Sequence, residues 1–442
     1  MKYHLTTLGC PKNVTDSHSL QRALAAAGHA PAPAEAPHDA DVLIVNTCGF
    51  IDAAKDESRD VTTQLARAKR PGQRLFVIGC WSQLEGDRIR DSLPAVDAVF
   101  GIEAWDRVTA ALGPAAPPDI PEPSETPTRT SAYLKISDGC ARPCTFCNIP
   151  GIKGRTFRTT PIDTLIDQAR AYADAGVKEL VLVAQDSTAY GEEAGDRDGL
   201  PALLRELAAA VPQVPWLRLM YAYPGRVSQP LVETMAAVPQ VCHYLDIPLQ
   251  HGSPTVLRRM KRPHNVPMVL DTLARLRAAM PDIAIRTTFI VGFPGETDDE
   301  FQELLDFVAT ARFDRAGAFL YSPQDGTPAA VMPDQVAEPV KVERLERLMT
   351  LQTEIAAEIN DALIGREIPI LVESVEGSTG PDGEPIFVGR SYRDAPEIDG
   401  LVFVQGLARA GTMPRVRITA AMEHDLLATP VGTETALPLL QT

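Results

Sequence analysis

Between residues 114 and 130 the chain reads Pro-Ala-Ala-Pro-Pro-Asp-Ile-Pro-Glu-Pro-Ser-Glu-Thr-Pro-Thr-Arg-Thr, six prolines in seventeen residues. Proline fixes φ and has no N–H, so this run fits neither a helix interior nor a central strand, and it reads as a stiff linker. It divides a 442-residue chain that is already too long for one ordinary core. The residues before 114 must therefore build a core of their own, and so must those after 130.

Residues 1–113 alternate short apolar runs (His4–Leu8, Asp41–Val45, Leu75–Ile78) with helical stretches at Ser17–Ala27 and Ala53–Ala68. That alternation predicts an open parallel α/β sheet. Between residues 131 and 365 lie six more strand-like runs: Ala132–Ile136, Glu179–Ala184, Leu217–Tyr221, Tyr244–Ile247, Ile283–Val291 and Ala316–Tyr321. Helical stretches such as Ile162–Ala175 and Asp298–Ala311 separate them, the latter opened by a capping-box spacing of Thr297 and Glu300. Six strand–helix units predict a partial (β/α)6 barrel rather than a closed eight-unit one. A helix over Pro339–Leu363 should bury Leu345, Leu348, Gln352, Ile355 and Ile359 along one face. From 366 to 432 short runs broken by Gly, Pro and Asp (Ile368–Val372, Pro385–Gly389, Leu401–Val404, Met413–Ile418) predict a small antiparallel β-barrel.

Hydrophobic residues make up 45% of the chain and charged residues 23%, as in folded globular proteins. The first eight residues lack a signal-like apolar run and no segment is apolar enough to span a bilayer, so the expectation is a cytoplasmic protein without a membrane partner. The net charge of −16 makes the chain a poor general binder of polyanions.

Seven cysteines cannot all pair, and in a reducing compartment they are more often metal ligands than bridges. Three form one tight group, Cys140-Ala-Arg-Pro-Cys144-Thr-Phe146-Cys147, directly after a predicted strand and hence at the C-terminal mouth of the barrel. Three thiolates leave one iron of a [4Fe–4S] cube open to a further ligand. A structural zinc site fits less well, because no fourth Cys or His lies nearby in sequence. Three further cysteines sit in Gly9-Cys10, Cys48-Gly49 and Gly79-Cys80, each close to the end of an apolar strand. In an open parallel sheet such ends converge on one edge, so the three could meet around a second cluster. Buried free cysteine is the alternative for any one of them alone, and Cys242, without a cysteine partner in sequence, reads as structural.

The Cys-x-x-x-Cys-x-x-Cys group resembles that of the radical-SAM superfamily, and the six cysteines in this order resemble the methylthiotransferase family over about residues 1–432. The resemblance implies two [4Fe–4S] clusters, at Cys140/Cys144/Cys147 and at Cys10/Cys48/Cys80, with S-adenosylmethionine (SAM) on the first and a TRAM barrel at the C-terminus. It implies an N-terminal methylthiotransferase domain (1–113), the linker (114–130), a radical-SAM core (131–365) and the TRAM domain (366–432). The first cluster would accept an electron from a donor of unknown identity and split SAM; the second would supply sulfur. Phe146, Gln185, Asp186 and Gly292 are the corresponding candidates for SAM contacts, although the usual Gly-Gly-Glu is absent at Gln185-Asp186. The turn Gly292-Phe-Pro-Gly295 equally suits a simple tight turn, and His251 a supporting role.

Two branches divide the family by substrate: one modifies the β-carbon of an aspartate of small-subunit ribosomal protein twelve, the other a tRNA adenosine. Acidity favours the basic protein, since residues 366–425 hold ten Asp/Glu against six Arg, where an RNA-binding barrel should lean basic. Gly389–Gly400, Leu8–Asn13 and Asp246–His251 also resemble the protein-modifying branch. On this reading Asp394, Glu397 and Asp399 should be surface charges that steer the partner. A non-catalytic iron–sulfur carrier or scaffold is the alternative outside enzymology.

Overall fold

The computed structural model describes residues 1–33, 36–113, 130–379, 385–406 and 408–431. All of the proline-rich linker except Thr130 lies outside them. No helix among the described residues is long and apolar enough to cross a membrane.

The N-terminal sheet runs β2 (Ala30–Pro31), β1 (Lys2–Thr7), β3 (Val42–Thr47), β4 (Arg74–Gly79), β5 (Ala98–Val99), every pair parallel. All six residues of β3 are buried, because helices cover both faces of a central parallel strand. Tyr3, Leu20, Leu24, Ile44 and Phe76 pack on one side, Leu43, Val45, Leu75 and Val77 on the other. The first helix is Pro11–Ala26, six residues longer at its start than its apolar pattern suggested. Proline is well suited to that first position, where its N–H would be unbonded anyway, and Cys10 is thereby the N-cap residue. Cys80, expected only at a strand end, is the first residue of a short helix, Cys80–Glu85.

The second sheet is parallel, open and strictly sequential: β6 (Ser131–Lys135), β9 (Glu179–Val183), β10 (Trp216–Leu219), β11 (Val241–Asp246), β12 (Ala284–Val291), β13 (Arg315–Leu320). The short strands β7 (Ser137–Asp138) and β8 (Arg158–Thr159) pair beside it. All six expected units are present. Strand β10 stops at Leu219, and Tyr221, expected within it, has φ +61°. Cys242 lies on β11 instead of before it, 4% exposed among Val183, Trp216 and Tyr244. Leucines of alternate positions (Leu134, Leu180, Leu182, Leu217, Leu219, Leu245) face the helices. The other positions, including Glu179, Arg218, Tyr244, Asp246 and Arg286, face the lumen, as a period of two requires. Helix Glu338–Asp361 buries Leu348, Gln352 and Ile355 as expected, and also Lys341 and Arg344.

The C-terminal strands β14 (Glu367–Thr379), β15 (Pro385–Ser391), β16 (Val402–Gln405), β17 (Arg415–Ala421) and β18 (Leu426–Pro430) close a barrel in the order β14-β15-β16-β18-β17. The fifth strand was not expected, and its pairing with β16 is parallel, the one exception in an otherwise antiparallel barrel.

The Ser391–Gly400 loop that leaves β15 corrects a sequence expectation. It plugs the lower end of the half-barrel instead of facing a partner. Asp394 is 1% exposed and accepts from Arg315 Nη2 at 2.8 Å and Ser391 Oγ at 2.6 Å. Asp399 accepts from Tyr244 Oη at 2.7 Å and Arg286 Nε at 3.2 Å. Arg390 donates upward to Glu179 at 2.6 Å, and Arg218 meets the same carboxylate at 2.6 Å. A buried carboxylate without a cation would be prohibitive, so these acids pair with the lumen arginines. Of the three acids only Glu397 is exposed. The local excess of acid is thus partly internal and says less about a partner than the charge count implied.

Candidate functional site

At the upper end of the half-barrel the Cys140–Cys147 loop follows β7. It is pinned by Cys140 N donating to Gly154 O (3.1 Å), Thr145 N to Met260 O (3.1 Å) and Ala329 N to Thr145 O (3.0 Å). Its three thiols are close enough to feel one another's charge. Burial pushes the Cys147 thiol up to about 12, and the negative charges of Cys144 and Cys140 add to that. Burial also raises Cys140, with Cys144 adding.

The three strand-end cysteines of the N-terminal sheet meet likewise. Burial raises Cys80 to about 12, reinforced by charge on Cys48 and Cys10, and burial raises Cys48, again reinforced by Cys10. The glycine beside each cysteine has a steric reason. A Cβ on Gly9 would stand 2.7 Å from Cys48 Cβ, one on Gly49 would stand 2.7 Å from the Trp81 backbone, and one on Gly79 would strike Asn46 Oδ1. Asn13 fastens the same edge, donating from Nδ2 to Leu8 O (2.9 Å) and Thr47 O (3.0 Å), with Oδ1 3.7 Å from Cys80 Sγ. Ser58 grips Cys48 by accepting from its N–H (3.1 Å) and donating to its carbonyl (2.8 Å). Asn13 lies inside the Leu8–Asn13 motif, whereas nothing local in the sequence marks Ser58.

Two clusters of three thiols, none in a disulfide, are a donor set whose charge a cationic group would relieve, since bound thiols are deprotonated. Both triads fit an iron–sulfur cluster on this ground. A carboxylate group formed by Asp16, Glu103 and Asp138 does not compete with them as a metal site. Lys135 (2.5 Å) and Lys153 (2.7 Å) already occupy Asp16, and the same two lysines lie 3.1 and 3.4 Å from Asp138. These bridges tie the N-terminal domain to the mouth of the half-barrel.

The remaining candidates separate. Gln185 follows β9, and its Oε1 is buried without a hydrogen-bond partner among the described residues, an acceptor open to a ligand donor. Asp186, 2% exposed, is already engaged: Arg142 Nε, from within the cysteine loop, donates to it at 2.8 Å and Thr188 Oγ1 at 2.5 Å. Phe146 is partly buried against Val256, Met260, Phe293 and Tyr321. Gly292 has φ +71°, and a Cβ there would collide with Lys341, which accounts for the glycine by packing. His251 is buried; its Nδ1 accepts from Ser253 N (2.9 Å) and its Nε2 stands 3.3 Å from Glu296 Oε2. That carboxylate accepts from Gly292 N (2.9 Å) and Phe293 N (3.2 Å), so His251 steadies the glycine turn. Sequence reasoning missed Arg262, which lies 3.7 Å from Cys144 Sγ and stacks over the Tyr223 ring (4.3 Å), as Arg142 also does (4.7 Å).

An open, six-stranded parallel half-barrel with a three-thiol loop at its mouth defines a radical-SAM protein. The Radical SAM superfamily model matches residues 134–308, an uncharacterised protein family (UPF0004) matches 2–101, and the TRAM domain matches 364–431. Among solved structures, the radical S-adenosylmethionine methyltransferase TsrM from Kitasatospora setae, with tryptophan and a SAM analogue bound, aligns at TM-score 0.57 and 13% identity. That alignment covers 87% of this chain and 80% of the other, a likeness of fold. Curated relatives named ribosomal protein uS12 methylthiotransferase RimO include those of Chloroflexus aurantiacus, 47% identical over 96% of this chain and 99% of the relative, and Roseiflexus sp. strain RS-1, 45% identical over 96% of each. The chain belongs to the uS12 methylthiotransferase (RimO) family. It is a radical-SAM transferase, and the family implies a [4Fe–4S] cluster and SAM.

Proposed function

We propose that this protein attaches a methylthio group to the β-carbon of an aspartate of ribosomal protein uS12, using two [4Fe–4S] clusters. The substrate reading is carried by the likeness to uS12 methylthiotransferases along 96% of the chain; the second cluster is supported by the convergence of Cys10, Cys48 and Cys80. Cys140, Cys144 and Cys147 would hold the SAM-binding cluster, and the other triad the second. When bound, these groups supply a radical able to take hydrogen from an unactivated C–H bond, and sulfur and methyl for transfer.

The protein's own part is placement. Gln185 Oε1 offers an acceptor to the cofactor's amino group. Arg142, held by Asp186 and by Glu192 at 2.9 Å, and Arg262 flank Tyr223 and keep positive charge beside the thiolates. Gly292 and Phe146 would act through the shape of the mouth. The lysine bridges to Asp16 hold the domain that carries one triad against the domain that carries the other. Proposed domain limits are 1–113, 131–365 and 366–432, in a cytoplasmic enzyme served by a separate electron donor.

Mass spectrometry of uS12 and of tRNA from cells lacking this chain tests the reading. The methylthio group should vanish from uS12 while tRNA modification persists; loss from tRNA with uS12 unchanged would assign the tRNA adenosine instead.

A further inference from the structure

Lys12 stands two residues beyond Cys10, in the first turn of the helix Pro11–Ala26, and reaches from the N-terminal domain to the mouth of the half-barrel. Its Nζ lies 3.6 Å from the centre of the Tyr221 ring and 3.4 Å from the carbonyl oxygen of Ala184, the residue before Gln185. An ammonium has three donors. The ring face takes one and the carbonyl another, which leaves the third without a protein acceptor among the described residues. Tyr221 is held in its left-handed conformation by Asp246, which accepts from its N–H at 3.2 Å, and by Ser187, which donates to its carbonyl at 3.0 Å. The platform under the ammonium is therefore fixed.

The neighbouring cations differ from Lys12. Lys135 and Lys153 hold Asp16, Arg142 holds Asp186, and Arg286 holds Asp246. Arg262 has no carboxylate either and its Nε is unpartnered among the described residues, but its Nη1 and Nη2 are tied to the Cys144 sulfur and the Pro248 carbonyl. The acids whose charge Lys12 feels, Asp246 and Asp138, already have cations of their own, at 3.1 Å each. Lys12 thus stands at this mouth with a donor to spare and no carboxylate among the described residues. A partly desolvated ammonium so placed favours an incoming anion.

We propose that Lys12 binds the side-chain carboxylate of the substrate aspartate and makes the enzyme select aspartate over its amide. This rests on the uS12 reading above. The carboxylate is the one group on an aspartate side chain that could orient its β-carbon, and Lys12 would hold it between the Cys10 triad and the end of β9.

The test uses the full-length, cluster-loaded protein and measures binding of uS12 and of uS12 whose modified aspartate, located by mass spectrometry, is changed to asparagine. Wild type should bind the aspartate form at least about tenfold more tightly, as expected when one partner of a desolvated charge pair is removed. Lys12→Met should bind both forms alike, and Lys12→Arg should restore a preference. A gap that persists in Lys12→Met overturns the proposal, and so does a variant with lowered melting temperature whose affinity for both forms falls equally, because Lys12 then only clasps two domains. The absence of a gap in wild type overturns it without any variant, so a Lys12→Met chain that fails to fold does not rescue it. Failure of wild type to bind or modify uS12 sinks the substrate reading and this proposal together; modification with an unaltered gap in Lys12→Met sinks this proposal alone.

Discussion

The two ends of the half-barrel use charge in opposite ways. At the lower end Arg218, Arg286, Arg315 and Arg390 each meet a carboxylate, and two of those acids, Asp394 and Asp399, arrive from the C-terminal barrel. At the upper end six thiols gather in two groups, with buried polar atoms such as Gln185 Oε1 left open. A satisfied network specifies one docking of two domains, whereas an unsatisfied one awaits ligands. The same fold thus separates a closed end, which fixes geometry, from a reactive end.

Changes at the two ends should therefore fail differently. The largest effect is expected at the mouth. Cys144→Ala should halve the iron content and abolish SAM cleavage, and Cys48→Ala should halve the iron while leaving uncoupled 5′-deoxyadenosine formation. Iron analysis with chromatography of nucleoside products checks both, and unchanged iron in Cys48→Ala would remove the second cluster. Next comes Arg390→Met at the closed end, which leaves Glu179 with Arg218 alone and should cost up to about 3–5 kcal/mol, the range for breaking a buried ion pair; denaturant unfolding measures it.

A pH effect of intermediate size belongs to the same end. Burial alone would raise the Glu179 pKa, but Arg390 and Arg218 outweigh it and hold the value at about 2. A folded pKa below the unfolded one stabilises fully above the unfolded value of about 4.3, and the gain is lost as pH falls toward 2. The unfolding midpoint of wild type should drop across that window more steeply than that of Glu179→Gln. Equal slopes would mean that the network is not ionised. The smallest effect is expected for Glu397→Gln, within about 0.5 kcal/mol for an exposed site. Asp394→Asn should destabilise markedly by comparison, since it leaves the buried Arg315 without its carboxylate. Equal, negligible effects would return the Asp394–Asp399 loop to the surface and erase the contrast between the ends.

Much of the fold was legible because its signals are local. Six strand–helix units and the capping box at Thr297 rest on periodicity and nearest-neighbour hydrogen bonds, and both are present. The early start of the first helix was missed because Lys12, Asn13, Thr15 and Asp16 are polar yet lie on its packed side. The strand Leu426–Pro430 is short and ends in proline, so its pattern resembles a turn. The loop at Asp394 misled for a deeper reason: an acidic run reads as solvated unless the cations that neutralise it can be seen, and Arg315 is 79 residues away.

The Cys140–Cys147 loop was determined by the sequence alone, since spacing within eight residues limits how far three thiols can stray. The convergence of Cys10, Cys48 and Cys80 was decided only by the tertiary structure. Their strand ends come together through sheet order, through glycines that let backbones approach, and through Asn13 linking chain segments 34 residues apart. Local spacing survives in any fold that keeps the loop; a contact across a sheet edge exists only once hydrogen bonding has set the register of every strand between.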